Sequence, residues 1–263
     1  ELVSYMAINA SSDLAKERGS YSSYEGSLWS QGILPLDSIE ILEKQRGKDY
    51  IEVDKTTRLD WDALREKVKT QGMRNSNTMA IAPTATIANI TGLTQSIEPT
   101  YSNLFVKSNL SGEFTVINMH LVDALKEIDM WDEVMVYDLK NLNGSLESIA
   151  RVPEDIKKLF ATSFEVEPKW LIEAASRRQK WIDQSQSLNL YVSEPNGKKL
   201  DVMYRMAWLR GLKTTYYLRS RSATTTEKST ITNMELNAVK TEPKTYDQPE
   251  ACSIDDPDCE ACQ

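Results

Sequence analysis

The sequence predicts an α/β fold, because short apolar segments alternate with longer amphipathic ones in its second half. A long helix at residues 168–187 is followed by a strand at residues 188–192, a helix at residues 200–212 and a strand at residues 214–218. Residue-by-residue alternation indicates a strand, whereas apolar residues three or four positions apart indicate a helix. Strands separated by helices are typical of a parallel or mixed sheet with crossover connections.

Three helices are predicted in the first quarter of the chain. They cover residues 1–18, residues 36–43 and residues 61–70. Asp60 precedes the third helix, where its carboxylate can accept from the free N–H groups of the first turn. The apolar face expected of the first helix consists of Leu2, Tyr5, Met6, Ile8 and Leu14.

A short apolar run at residues 79–82 is predicted to be a buried strand that leads into a turn. Pro83 lacks an N–H group and therefore ends strand pairing. Thr84 and Thr86 then place hydroxyl groups at the start of a predicted helix. Two interpretations remain open from these residues: Thr84 only caps the helix, or the unpaired N–H groups bind an anion such as phosphate.

The middle of the chain is predicted to hold one strand and three helices. Residues 94–109 contain Pro99 and are expected to be loop-rich, while residues 113–117 alternate as a strand does. The helices are predicted at residues 121–128, at residues 132–139 and from Pro153 onwards.

Composition restricts the class of protein. The chain of 263 residues is 40% hydrophobic and 27% charged, as is ordinary for a globular protein. Its net charge of −8 argues against a nucleic-acid surface. No apolar run approaches the roughly 20 residues that span a bilayer, and no signal peptide is recognised at the start, so we predict a cytoplasmic protein without a membrane partner. Arg177, Arg178 and Lys180 are expected to form only the solvated face of the long helix.

The composition changes after Arg221, and all three cysteines lie near the end of the chain. Residues 222–250 are polar without apolar periodicity and are predicted to be a flexible linker. Cys259 and Cys262 have the spacing of a pair that can close a disulfide and exchange it with another thiol pair. A zinc site with Cys252 would lack a fourth ligand nearby, because the only histidine is His120. Incidental surface cysteines are the third possibility, and Cys252 has no assigned role.

Tyr216 and Tyr217 are adjacent in the last predicted strand. Side chains alternate between the two faces of a strand, so this pattern by itself predicts one buried and one exposed tyrosine.

Several motifs, in this order, resemble the C-terminal part of the large subunit of a class I ribonucleotide reductase. The motifs are at residues 79–90, 95–101, 110–118, 177–183 and 211–219. The resemblance covers nearly the whole chain. It implies that residues 1–221 are the C-terminal part of a ten-stranded α/β barrel. Residues 222–250 would then be a flexible linker, and residues 251–263 a redox-active cysteine tail.

The resemblance also implies roles for the tyrosines and the cysteines. In this family a tyrosine pair relays an oxidising equivalent from the small subunit to the catalytic cysteine, and Tyr216 and Tyr217 match that pair. A C-terminal cysteine pair re-reduces the active-site disulfide after each turnover, and Cys259 and Cys262 match it, although many relatives have a wider spacing.

The turn after residue 82 matches the segment that holds the substrate diphosphate in this family. The implied contacts are Pro83, Thr84, Ala85, Thr86 and Ile87. Relatives often carry a hydroxyl residue where this chain has Ile87, so Ile87 can contribute only its backbone N–H.

The partners implied by the resemblance lie outside the sequence. They are an N-terminal part of the large subunit with the catalytic cysteine and allosteric nucleotide sites, a small radical-generating subunit with a di-metal centre, thioredoxin or glutaredoxin, and a ribonucleotide. This segment is expected to bind no metal or cofactor itself and to be inactive alone, as a fragment or as one product of a split gene. A cobalamin-dependent reductase half and a non-catalytic phosphate-binding module are the alternatives, although neither would need both tyrosines and both tail cysteines.

Overall fold

The computed structural model describes residues 1–109 and 112–221. In these ranges the helices are α1 (Leu2–Arg18), α2 (Ser38–Arg46), α3 (Trp61–Gln71), α4 (Ala85–Thr91), α5 (Met119–Glu127), α6 (Glu133–Asn141), α7 (Glu154–Leu159), α8 (Pro168–Gln179) and α9 (Gly197–Leu209). The strands are β1 (Leu104–Asn109), β2 (Gly112–Ile117), β3 (Leu190–Val192) and β4 (Leu218–Ser220). The helices predicted from periodicity are therefore confirmed, with shifted ends.

Strands β3 and β4 pair in parallel and are connected through α9. Leu190 lies opposite Leu218, and Val192 lies opposite Ser220. This confirms the predicted strand–helix–strand order and the α/β class. The last strand begins at Leu218, later than predicted, so Tyr216 and Tyr217 precede it.

Strands β1 and β2 form an antiparallel hairpin, with Leu104 opposite Ile117. The second strand was predicted, but the expectation of a loop-rich segment through residue 109 is wrong for β1. Pro99 lies before β1, so its missing N–H does not interrupt the ladder. Phe114 is 50% exposed, so this hairpin is not covered by the described part of the chain.

The strand predicted at residues 79–82 is reduced to one parallel bridge between Ile81 and Gln186. The Asp183 carboxylate accepts from the backbone N–H groups of Thr78 at 2.7 Å and Met79 at 2.8 Å. The backbone N–H groups at the start of the segment therefore donate to a side chain instead of to a neighbouring strand. The bridge still aligns the chain before Pro83 with the segment that leads into β3.

Buried apolar side chains form three clusters, each built from a different set of helices and strands. The first joins α1 and α3, the second joins β1, α5 and α6, and the third joins α8, β3 and α9. The side chains of Trp61 and Trp181 stack with ring centroids 5.5 Å apart, which ties the first cluster to the segment after α8.

The apolar face predicted for α1 is largely wrong. Leu2 and Met6 are 63% and 55% exposed, whereas Ser4, Ser11 and Ser12 are buried with Ile8. Small side chains let α1 approach α3 closely, and the Ser11 hydroxyl exchanges two hydrogen bonds of 3.0 Å with Asn75, donating to its side chain and accepting from its backbone N–H.

Helix α8 ends earlier than predicted, and Lys180 after it is not on a solvated face. Its side chain is 5% exposed and donates to the carbonyl oxygens of Asp54 at 2.6 Å and Thr56 at 2.9 Å. Burial lowers the pKa of Lys180. The two carbonyl contacts replace the water that an ammonium group loses on burial.

We expect the Asp132→Asn change to destabilise the fold in a pH-dependent way. Hydrogen bonds from Arg151 at 2.6 and 2.7 Å lower the pKa of Asp132 from 3.8 to about 2, and Asp132 also accepts from Met135 N–H at the start of α6. A carboxylate with a lowered pKa stabilises the fold above pH 3.8, and this contribution is lost as the pH falls towards 2. Because the side chain is 47% exposed, the loss in free energy of unfolding near pH 7 should be about 1 kcal/mol.

Urea unfolding between pH 2 and pH 7 measures this difference. Asp123→Asn on the exposed side of α5 is the matched control, with no expected pH-dependent loss. A loss for Asp132→Asn that stays constant down to pH 2 would contradict the assigned ion pair.

Candidate active site

A cavity of about 680 Å³ lies where the turn after Ile81, the hairpin and the ends of β3 and β4 meet. Its wall contains Pro83, residues 92–96, residues 99–102 and residues 116–120. Asn189, Tyr191, Tyr216, Tyr217 and Arg219 complete the opposite side. The structure therefore brings the beginning of the predicted diphosphate turn and the tyrosine pair to one cavity.

Tyr216 and Tyr217 contact each other in the wall of this cavity. Their ring centroids are 4.1 Å apart at an angle of 53°, and the two hydroxyl oxygens are 3.3 Å apart. The side chains are 47% and 53% exposed. The expectation of one buried and one exposed tyrosine is wrong, because both residues precede β4 and do not follow its alternation.

The backbone of the tyrosine pair is held by the segment that leads into β3. Tyr216 N–H donates to the carbonyl oxygen of Leu188 at 2.7 Å, and Leu190 N–H donates to that of Tyr217 at 2.8 Å. The Thr214 hydroxyl donates to the carbonyl oxygen of Gln186 at 2.9 Å. These bonds continue the alignment of β3 with β4 back to the tyrosines, although the tyrosines themselves are not part of a regular strand.

The surroundings of the pair affect its acidity. The hydrogen bond with Tyr217 is the main reason why the pKa of Tyr216 is raised. Burial raises the pKa of Tyr101 and of Tyr191, which line the same cavity. The Arg219 guanidinium carbon lies 5.2 Å from the centroid of the Tyr217 ring, within the range of a cation–π contact.

The turn before α4 does not use Thr84 as a side-chain cap. Thr84 has a left-handed backbone with a φ of 48°, and its hydroxyl accepts no hydrogen bond from the helix. That hydroxyl instead accepts from Ser96 N–H at 3.2 Å. A left-handed conformation is strained for a β-branched residue, so the connection between Thr84 and Ser96 holds an unusual turn. The capping interpretation of Thr84 is therefore wrong.

The remaining predicted site residues are only partly described. Ile87 is 60% exposed on α4, and the side chains of Ala85 and Thr86 are not among those described. Cys252, Cys259 and Cys262 lie outside the described residues. The diphosphate contacts and the thiol pair therefore stay predictions.

Sequence reasoning missed two polar residues behind the cavity. Glu98 and Asn189 are 6% and 5% exposed, and the carboxylate of Glu98 accepts from the backbone N–H and the side-chain amide of Asn189 at 2.9 and 3.1 Å. The residues are far apart in sequence, and although Glu98 lies in the motif at residues 95–101, that motif does not indicate a contact with Asn189. Nothing in the sequence alone could have joined them.

Within residues 1–109 and 112–221, no cluster of three histidine, cysteine or acidic side chains is placed to hold a metal ion. In the same ranges no helix has the length and apolar character needed to cross a bilayer.

Residues 1–218 match the family model of the ribonucleotide reductase barrel domain. The chain belongs to this family. The resemblance seen in the sequence motifs is thereby confirmed, and the paired strands β3 and β4 belong to a partial barrel.

Curated relatives of this ribonucleotide reductase chain are much longer. It is 61% identical over 88% of its length to the ribonucleoside-diphosphate reductase subunit alpha of Chlamydia muridarum, covering 22% of that protein. It is 53% identical over its full length to the Chlamydia trachomatis subunit alpha and covers 26% of it. The large subunit of Plasmodium falciparum is 41% identical over 91% of this chain, which covers 29% of that subunit. The chain thus spans about a quarter of the length of these relatives.

A solved structure shares the fold. The Actinobacillus ureae class Id ribonucleotide reductase alpha subunit matches with a TM-score of 0.52 and 26% identity, over 74% of this chain and 37% of that one. The names of these relatives do not favour the cobalamin-dependent half or the non-catalytic binding module.

Proposed function

We propose that this chain is the C-terminal part of a ribonucleotide reductase large subunit that reduces ribonucleoside diphosphates to deoxyribonucleotides by a radical mechanism. The observation that carries the proposal is the Tyr216–Tyr217 pair, whose hydroxyl oxygens are 3.3 Å apart in the wall of a cavity that also contains Pro83. Relatives named for this activity match nearly the whole chain. The proposal assigns the activity given in the names of those proteins to this shorter chain.

The geometry of the pair suits the exchange of a hydrogen atom between two phenols. When one tyrosine is a phenoxyl radical, the O–H bond of the other breaks and a new O–H bond forms on the first. One proton and one electron move together, so neither ring acquires a charge in the cavity. The short distance between the oxygens and the contact between the tilted rings favour this step.

The remaining machinery is proposed from the family. The small subunit supplies the oxidising equivalent from its di-metal centre, and the N-terminal part of the large subunit supplies the catalytic cysteine and the allosteric nucleotide sites. Thioredoxin or glutaredoxin supplies electrons through Cys259 and Cys262. This division agrees with the sequence, in which residues 1–251 contain no cysteine. The cytoplasm is the proposed compartment.

The diphosphate of the substrate is proposed to bind at the turn formed by Pro83, Thr84, Ala85, Thr86 and Ile87. The position of Pro83 in the cavity wall and the backbone N–H groups at the start of α4 support this placement. The Thr84 hydroxyl accepts from Ser96 N–H, and its own O–H can still donate to a phosphate oxygen, which is an acceptor.

We expect the Thr86→Val change to weaken substrate binding while the fold is kept. Valine has nearly the shape of threonine but no hydroxyl, so the loss should be about 1 kcal/mol, or about fivefold in the Michaelis constant. Steady-state kinetics of the assembled enzyme measure this change. Thr91→Val is the matched control, because Thr91 bonds only to carbonyl oxygens of its own helix. An unchanged Michaelis constant in Thr86→Val would remove Thr86 from the substrate site.

Reconstitution tests the proposed function directly. Residues 1–263 are expected to show no ribonucleotide reduction alone, because they provide no thiol in the barrel part. Addition of the remaining large-subunit sequence and the small subunit should give deoxyribonucleotide, measured with a radiolabelled diphosphate. Turnover by residues 1–263 alone, or no turnover by the complete mixture, would contradict the proposal.

A further inference from the structure

Glu98 is a buried carboxylate whose hydrogen bonds, among the described residues, all come from Asn189. Both of its oxygens accept from Asn189, one from the backbone N–H at 2.9 Å and one from the side-chain amide at 3.1 Å. Glu98 is 6% exposed and is not itself a member of the tyrosine pair. Burial of a carboxylate is costly unless hydrogen bonds replace its water, so these two bonds are what retain it there.

The contact fixes the orientation of the Asn189 side chain. A carboxylate only accepts hydrogen bonds, so the NH₂ group of Asn189 must face Glu98. The Oδ1 atom then faces away and has no hydrogen-bond partner among the described residues, although it is buried at the cavity wall. Arg178 lies near Glu98, and the attraction of that carboxylate opposes the lowering of the Arg178 pKa by burial.

Asn189 stands between the two residues that hold the tyrosines. The carbonyl oxygen of Leu188 accepts from Tyr216 N–H at 2.7 Å, and Leu190 N–H donates to the carbonyl oxygen of Tyr217 at 2.8 Å. Because the peptide groups on both sides of Asn189 carry these bonds, its position sets the position of the tyrosine backbone. Glu98 therefore acts on the tyrosines through a single intervening residue.

We propose that Glu98 is a positioning residue that holds the Tyr216 and Tyr217 phenols in register through its two hydrogen bonds to Asn189. The proposal deepens the function proposed above and rests on it for its catalytic consequence. A shift of about 1 Å between groups that exchange a hydrogen atom lowers the rate by about 100-fold. Loss of the Glu98 contact should therefore lower kcat with little change in KM.

Fluorine spectroscopy tests the positioning apart from activity. We would place 3-fluorotyrosine at position 216 or 217 of the 263-residue chain and compare the ¹⁹F resonances of wild type, Glu98→Met and Glu98→Ala. Both variants should shift the two resonances, and the pKa of Tyr216 should fall towards its ordinary value as its bond with Tyr217 weakens. Glu98→Met keeps most of the volume and removes both acceptor oxygens, so it decides the matter if Glu98→Ala does not fold.

A reversed pair provides the sharper test. Asn189→Asp alone sets a second carboxylate against that of Glu98, acceptor against acceptor. Adding Glu98→Gln supplies an NH₂ donor opposite the new carboxylate, while the amide oxygen at position 98 can still accept from the backbone N–H at position 189. The double variant should recover the wild-type ¹⁹F pattern and most of the lost kcat in the assembled enzyme. This recovery is the interaction that a double-mutant cycle isolates.

Two controls separate positioning from general damage. Glu113→Met makes the same chemical change on the exposed face of β2 and should leave both resonances unchanged. Leu139→Ala removes a fully buried side chain of the cluster around α5 and α6, so it should lower the melting temperature without moving the tyrosine resonances. Unchanged resonances in both Glu98 variants, or equal shifts in Glu113→Met or Leu139→Ala, would overturn the proposal. If the resonances follow Glu98 while Tyr216→Phe keeps full turnover, the positioning contact stands and the radical relay is wrong.

Discussion

Replacing Tyr216 or Tyr217 by phenylalanine is expected to abolish ribonucleotide reduction by the assembled enzyme while the protein stays folded. The phenylalanine ring keeps the ring contact, with centroids 4.1 Å apart in the wild type, and only the hydroxyl that would lose and regain a hydrogen atom is removed. Both side chains are about half exposed at a cavity, so no buried hydroxyl partner is left unsatisfied. Deoxyribonucleotide formation measures activity, and circular dichroism with a thermal scan measures folding.

Tyr204→Phe is the matched control for both changes. Tyr204 lies on α9, is 40% exposed and is not part of the cavity wall, so its variant should keep full turnover. Turnover near the wild-type rate in Tyr216→Phe or Tyr217→Phe, with a class I small subunit present, would remove that tyrosine from the proposed relay.

Replacing both tail cysteines by serine is expected to remove turnover with a protein reductant but not with a small dithiol. Under the proposed function, a reductant such as thioredoxin needs the Cys259–Cys262 pair to carry electrons into the cavity, whereas a small dithiol can diffuse there directly. The predicted linker of about 29 residues, at roughly 5–6 Å times the square root of residue number, reaches about 30 Å. That reach is enough for exchange between a buried site and the surface.

Paired assays with the two reductants measure the expected split. Cys252→Ser is the control and should keep both activities, because the shuttle needs only the pair. Equal loss of both activities in the Cys259→Ser, Cys262→Ser variant would contradict the shuttle. So would one zinc ion per chain that is released when the tail cysteines are replaced.

Local chemistry explains where the sequence predicted the fold well. Asp60 caps α3 by accepting from Ala63 N–H at 3.0 Å, as its position before an amphipathic segment indicated. At the start of α9, which lies before the predicted residue 200, the Asn196 side chain makes the same kind of contact and accepts from Lys199 N–H at 2.9 Å. Such interactions join residues only a few positions apart, so a short stretch of sequence is enough to predict them.

The errors came from contacts between distant residues. Lys180 was expected in solvent but is buried, because the carbonyl oxygens of Asp54 and Thr56 provide partners that no local pattern reveals. The segment at residues 79–82 has the composition of a strand, yet the N–H groups of Thr78 and Met79 donate to Asp183 and only a single bridge forms.

The sequence by itself determined the α/β class, the order of the helices and of the last strand–helix–strand unit, and the family, through motifs that keep their order and spacing. It also placed the tyrosines, the turn and the cysteines as candidates. Only the tertiary structure decided that Tyr216 and Tyr217 contact each other in the wall of a cavity that Pro83 also lines, and that Glu98 bonds to Asn189 there. The physical reason is that helix and strand periods depend on neighbours within a few residues, whereas a site depends on which distant segments pack together.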